Sequence, residues 1–151
     1  MEIKKGDGPL TNPHICGLCD EQNRSCCTLR AENNEGLPAP VSMAEAERIL
    51  NAFPESGWRS LFDTRENTPQ FINQMAILFP DAGHLIPRVF PIGETHLELK
   101  TNEDACYFKG DQGCRLPSTA RPHFCRIYPF WFYDGEPYLF QDSNCLALAH
   151  N

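Results

Sequence analysis

The sequence predicts an α+β fold: one small domain, with helices in the middle of the chain and short strands and hairpins around cysteine-bearing loops. Three observations carry that reading. Two segments between residues 42 and 80 repeat apolar residues at helical spacing and open on capping signals. Beyond residue 83 the pattern changes to short alternating runs punctuated by turn residues. The eight cysteines fall in two groups, four within residues 16–27 and four from residue 106 onward, with none between Cys27 and Cys106.

In chain order, residues 1–15 are rich in Gly, Pro and Asn and read as a flexible lead-in; residues 16–151 form the single domain. Segment 16–27 has neither helical nor strand periodicity and reads as a loop, and residues 30–40 continue it. Ser42-Met43-Ala44-Glu45 then fits a capping box, in which the serine hydroxyl takes the Glu45 N–H and the glutamate reaches back. Ala46, Ile49, Leu50 and Phe53 share a face, and Pro54 ends that helix. Residues 56–63 suggest a short second helix carrying Trp58, Leu61 and Phe62. Thr68-Pro69 is a cap followed by proline in the first turn. Phe71, Ile72, Met75, Ala76 and Phe79 follow on one face, and Pro80 stops the helix.

Residues 85–92 are apolar and broken by Pro87 and Pro91. Residues 95–100 alternate, with Leu97 and Leu99 on one side, and read as a strand. Lys109-Gly110-Asp111-Gln112 is a turn signal between the segments holding Cys106 and Cys114. A second hairpin is expected from residues 130–133 and 138–140 around Asp134-Gly135, a dipeptide that suits the turn matching strand twist.

Composition narrows the function. A chain of 151 residues buries roughly 70% of its unfolded surface, so a metal site would add to a core rather than replace one. A formal net charge of −7 argues against a nucleic-acid surface and against a polybasic membrane anchor. No apolar run approaches the ~20 residues of a spanning helix. The N-terminus lacks the apolar segment of a secretory signal, so a reducing cytoplasmic setting is expected. There, a CxxC (Cys16, Cys19) beside a CC (Cys26, Cys27) favours metal binding over four disulfides. Adjacent cysteines could pair with each other only through a strained ring.

Cys16-x-x-Cys19 puts two thiolates on one tight turn. The downstream cysteines, Cys106, Cys114, Cys125 and Cys145, lie at C-x7-C-x10-C-x19-C with no second CxxC. A zinc ribbon would repeat the knuckle. An iron–sulfur cluster tolerates irregular spacing better, because each iron is a separate anchoring point. Spacing leaves open whether there is one four-thiolate site or two. If four ligands are picked, they are Cys16, Cys19, Cys27 and Cys125. Four thiolates leave either kind of site formally about minus two. Segment 115–126 is locally basic, and Arg121 and Arg126 bracket Cys125, placed to donate hydrogen bonds to sulfur or to nearby carbonyls. The aromatic run 127–133 reads as core and as an apolar screen for such a centre. His14 and His123, each two residues before a cysteine, could replace a thiolate as ligand, but the favoured reading is a solvent-exposed or hydrogen-bonded histidine. No dinucleotide loop, P-loop or GxSxG is present.

Cys16-x-x-Cys19, Cys26-Cys27, Cys106, Gly113-Cys114 and Arg121-Pro122-x-x-Cys125-Arg126-x-Tyr128-Pro129-Phe130 together resemble the YkgJ-type cysteine-cluster family. The resemblance covers nearly the whole chain and includes the Pro-Val-Ser helix start. It differs in the six-residue gap between Cys19 and Cys26, where the family's form is a compact CxxCxxCC. The resemblance implies zinc or iron chelation and places all eight cysteines at the family's cysteine positions. A related cysteine pattern occurs in flagellin lysine methylases, but no separate methyl-donor domain is legible here.

The leading expectation is therefore a metal-binding protein with a [4Fe–4S] cluster on cysteine thiolates, serving redox chemistry or as a cofactor scaffold for a protein or redox partner. The alternatives are a structural zinc-binding interaction module and a metal-dependent protein-modifying enzyme.

Overall fold

The computed structural model describes Cys19, Glu21 and residues 40–102, 105–127 and 130–139. Over these residues the protein mixes helices with antiparallel strands. The expected lead-in, residues 1–15, lies outside them, as does most of segment 16–27. The two described residues of that segment, Cys19 and Glu21, are helical rather than loop.

Strand β1 (Pro40–Val41) leads into helix α1 (Met43–Ala52), and the expected capping box is formed. The Ser42 hydroxyl accepts from Glu45 N at 3.3 Å, and the Glu45 carboxylate accepts from Ser42 N at 2.8 Å. Ala46 and Ile49 are fully buried on the inner face, with Leu50 and Phe53 half-buried beside them. The short helix α2 (Trp58–Leu61) stops earlier than the sequence suggests: Phe62 already belongs to strand β2 (Phe62–Glu66). Helix α3 (Pro69–Leu78) opens on Thr68, whose hydroxyl accepts from Phe71 N at 3.2 Å. Pro80 ends α3 and starts a 3-10 helix (Pro80–Leu85), which runs into helix α4 (Ile86–Val89). The apolar run 85–92 is thus helical in its first half, with Pro87 tolerated in the first turn.

Strand β3 (Thr95–Leu99) is the centre of a three-stranded antiparallel sheet in the order β1-β3-β2. Its register pairs Val41 with Leu97 and Arg65 with His96. Beyond it, strands β4 (Thr101–Asn102) and β5 (Ala105–Cys106) pair, and then β6 (Lys109–Gly110) and β7 (Gly113–Cys114). The expected turn is therefore tighter than its signal, since Lys109 and Gly110 are already strand. Helix α5 (His123–Ile127), absent from the sequence reading, carries Cys125. Strands β8 (Phe130–Tyr133) and β9 (Glu136–Leu139) form the last hairpin, with the turn at Asp134 (φ 51°) and Gly135 (φ 72°) as the sequence predicts. Two successive positive φ values are what a twist-matched two-residue turn requires.

Two apolar clusters hold these elements. The first gathers Val41, Ala46, Ile49, Leu61, Phe62, Phe108, Leu116 and Ala120, uniting α1, the sheet and the cysteine hairpins. The second gathers Phe71, Ile72, Met75, Leu78 and Ile86, between α3 and α4. Full burial of each Val, Leu, Ile, Phe or Met among them contributes about 1.5–3 kcal/mol.

Candidate metal centre

The hairpins bring Cys106 and Cys114 to one part of the molecule. Both are half-buried and pack against the first apolar cluster, which contains the fully buried Phe108. Phe108 is the anchor: its carbonyl accepts from Arg115 N at 2.8 Å, and its ring meets Phe53 at 5.4 Å. Arg115 braces the second hairpin. It donates to the Tyr107 carbonyl, and its guanidinium lies 5.0 Å from the centre of the Tyr107 ring. Its stem crosses Gly110 so closely that a Cβ there would stand 2.9 Å from Arg115 Cγ, which is why that strand position is a glycine. Cys114 also lines an open cleft together with Lys109, Asp111 and Arg115.

Cys125 is the exposed member, on α5. Three contacts fix that short helix. His123 N donates to Glu45 Oε1 at 2.7 Å. Phe124 packs against the second cluster, its ring edge-on to Phe79 at 6.0 Å. Pro122 is fully buried, and its carbonyl accepts from Arg126 N at 3.1 Å. Arg121, half-buried, donates from Nε to the Leu116 carbonyl at 3.0 Å, closing the turn that leads into α5. Arg126 is exposed.

Cys19 is buried. Cys16, Cys26, Cys27 and Cys145 lie outside the described residues, as do His14 and the side chains of the aromatic run 128–133. Among the described residues no three His, Cys, Asp or Glu side chains converge on one point. Thiolates suit zinc and iron–sulfur clusters, and of the four described cysteines Cys106 and Cys114 stand on hairpins, Cys125 on α5 and Cys19 at a helical position.

Two polar features escape a reading of the sequence. Glu45 is only 5% exposed and serves two helices at once. Burial pushes its carboxyl up, but this is outweighed by the hydrogen bonds from His123 N and from the Ser42 N–H and hydroxyl, with the His123 charge adding to them; the carboxyl is held below its ordinary value of 4.5. The capping box signals the residue but not its second partner, 78 positions away.

The second feature is Asn67–His96–Glu98. Asn67 Nδ2 donates to the Pro91 carbonyl at 2.9 Å, which turns Oδ1 toward His96 Nδ1, 2.7 Å away. His96 Nε2 lies 3.0 Å from Glu98 Oε1, and Phe71 stacks on the imidazole at 4.0 Å. This network ties β3 to the loop before it. A histidine amid alternating apolar residues is its one trace in the sequence.

No helix of the described residues is long and apolar enough to cross a membrane. Compared with protein-family models, with curated proteins and with solved structures, the chain matches none.

Proposed function

We propose that this is a metal-binding protein whose cysteine thiolates hold a [4Fe–4S] cluster, serving redox chemistry or as a cofactor scaffold. The observation that carries the reading is the way single cysteines are presented. Cys106, Cys114 and Cys125 each come from a different short element, and each element is braced by contacts of its own. A zinc ribbon would supply its sulfurs in pairs from knuckles, whereas a cluster with several irons accepts single anchors from separate elements. The resemblance of the cysteine pattern to the YkgJ-type family supports metal chelation. A cluster of this type supplies one-electron chemistry at a potential set by hydrogen bonds and solvent exposure. The chain's own part is to keep water from one side with the first apolar cluster, and to hold the sulfurs on short elements braced by Phe108, Arg115 and Arg121.

The test is an anaerobic preparation analysed for iron, zinc and acid-labile sulfide, with an absorption spectrum. About four irons and four sulfides per chain, with a broad band toward the violet, are expected. Zinc without sulfide would replace the cluster by a structural zinc centre. Absence of bound metal after anaerobic reconstitution would remove the reading altogether.

A further inference from the structure

We infer that Glu45 is a positioning residue for the metal centre, holding Cys125 in place by sharing one carboxylate between two helix starts. The inference rests on the metal-binding reading above and adds to it a residue that is not itself a ligand.

The geometry separates the two jobs of the carboxylate. Oε2 alone completes the cap of α1, accepting from Ser42 N at 2.8 Å and from Ser42 Oγ at 2.7 Å. Oε1 is therefore available for something else, and it accepts from His123 N at 2.7 Å. His123 is the first residue of α5, and Cys125 lies two positions on. The backbone that carries this sulfur thus hangs from a buried side chain of α1. On its other side Phe124 enters the second apolar cluster. Cys125, exposed, follows these two fixed points directly in the helix.

A capping box alone would not require this residue to be an acid. Glutamine caps as well as glutamate, since one side-chain oxygen is enough. Here both oxygens face donors: two from Ser42 and one from His123. An amide has only one oxygen; with that oxygen kept in the capping box, glutamine would turn its N–H2 toward the His123 N–H and lose that contact. Burying a carboxylate is costly unless each oxygen is hydrogen-bonded, and here the bond to His123 completes the set. The requirement for an acid at this position thus arises from the link to α5.

Glu45→Gln, Ser42→Ala and Cys125→Ser would be compared with the parent chain, full-length and reconstituted anaerobically with iron and sulfide. Metal and sulfide per chain and the visible spectrum are the first readout. The second, on metal-stripped protein, is amide exchange at His123 and the alkylation rate of Cys125, resolved by peptide. Ser42→Ala weakens the α1 cap but leaves the His123 bond, so it should melt at a lower temperature yet keep its metal, its spectrum and both second-readout rates. Glu45→Gln should lose a large part of its metal or change its spectrum, with His123 exchange and Cys125 alkylation each several-fold faster. Parent-like metal and spectrum in Glu45→Gln would overturn the positioning role while metal binding stands. Equal metal loss in Glu45→Gln and Ser42→Ala would also overturn it, by reducing Glu45 to a cap. A parent chain that binds no metal would defeat the metal reading and this role with it; the metal-free rates would then report only whether Glu45 fixes α5.

Discussion

At the scale of single residues, the informative side chains are buried polar groups whose partners are far away in sequence. Glu45 makes folding pH-dependent in a direction that can be worked out. Its carboxyl is held below 4.5 because the Ser42 and His123 donors outweigh the effect of burial. A folded-state value below the unfolded one means the stabilisation is fully present above the unfolded value and is lost as pH falls through the folded one. The stability gap between the parent chain and Glu45→Gln should therefore be widest near neutral pH and close on acidification below 4.5. Urea unfolding of metal-free protein at a series of pH values checks this, and a gap that stays constant would refute the assigned partners. Asn67 gives a second prediction. It is 1% exposed, with its amide divided between the Pro91 carbonyl and His96. Asn67→Ala leaves the buried His96 Nδ1 and the half-buried Pro91 carbonyl without that partner and should cost about 1–3 kcal/mol. A urea midpoint unchanged from the parent would show that water replaces the amide.

At the scale of elements, what the sequence reveals is what is settled within a few residues. The cap of α1, the Thr68-Pro69 start of α3 and the Asp134-Gly135 turn are each specified by neighbours within one turn of chain, and each appears as read. Strand β2 does not show because it lies at a sheet edge. Asp63, Thr64, Arg65 and Glu66 carry no apolar alternation, and the pairing is made by backbone and charge: Lys100 to Asp63 at 2.9 Å and Arg65 to Glu98 at 3.5 Å. Such solvent-accessible pairs add about 0–1 kcal/mol each, so they decorate the strand more than they define it. Helix α5 is hidden for a different reason. Five residues cannot sustain a helix on propensity; this one is held by Glu45 and by Phe124 in the second cluster. The candidate site is legible in the same uneven way. The cysteine spacing offers candidate sulfurs, while the contacts around Cys106, Cys114 and Cys125, made by Phe108, Arg115 and Glu45, are ones that spacing does not encode.

At the scale of the whole molecule, the question is whether the fold would depend on a metal held at its cysteines. The two apolar clusters are built from aliphatic and aromatic side chains, and Cys106 and Cys114 only border the first of them. Small zinc fingers unfold without their ion because their cores are too small to fold alone. This chain is long enough to bury roughly 70% of its unfolded surface. Metal should therefore stabilise an existing fold by mass action, raising its melting temperature, rather than create the fold. Removing it with an iron or zinc chelator should leave the far-ultraviolet circular dichroism close to that of the loaded protein. It should also leave a cooperative melt at a lower temperature. Local loosening should be confined to the elements that carry sulfur, visible as faster amide exchange in β5, β7 and α5 than in α1 and α3. Collapse of the dichroism to that of a coil on chelation would mean that the metal centre, and not the two clusters, holds the chain together.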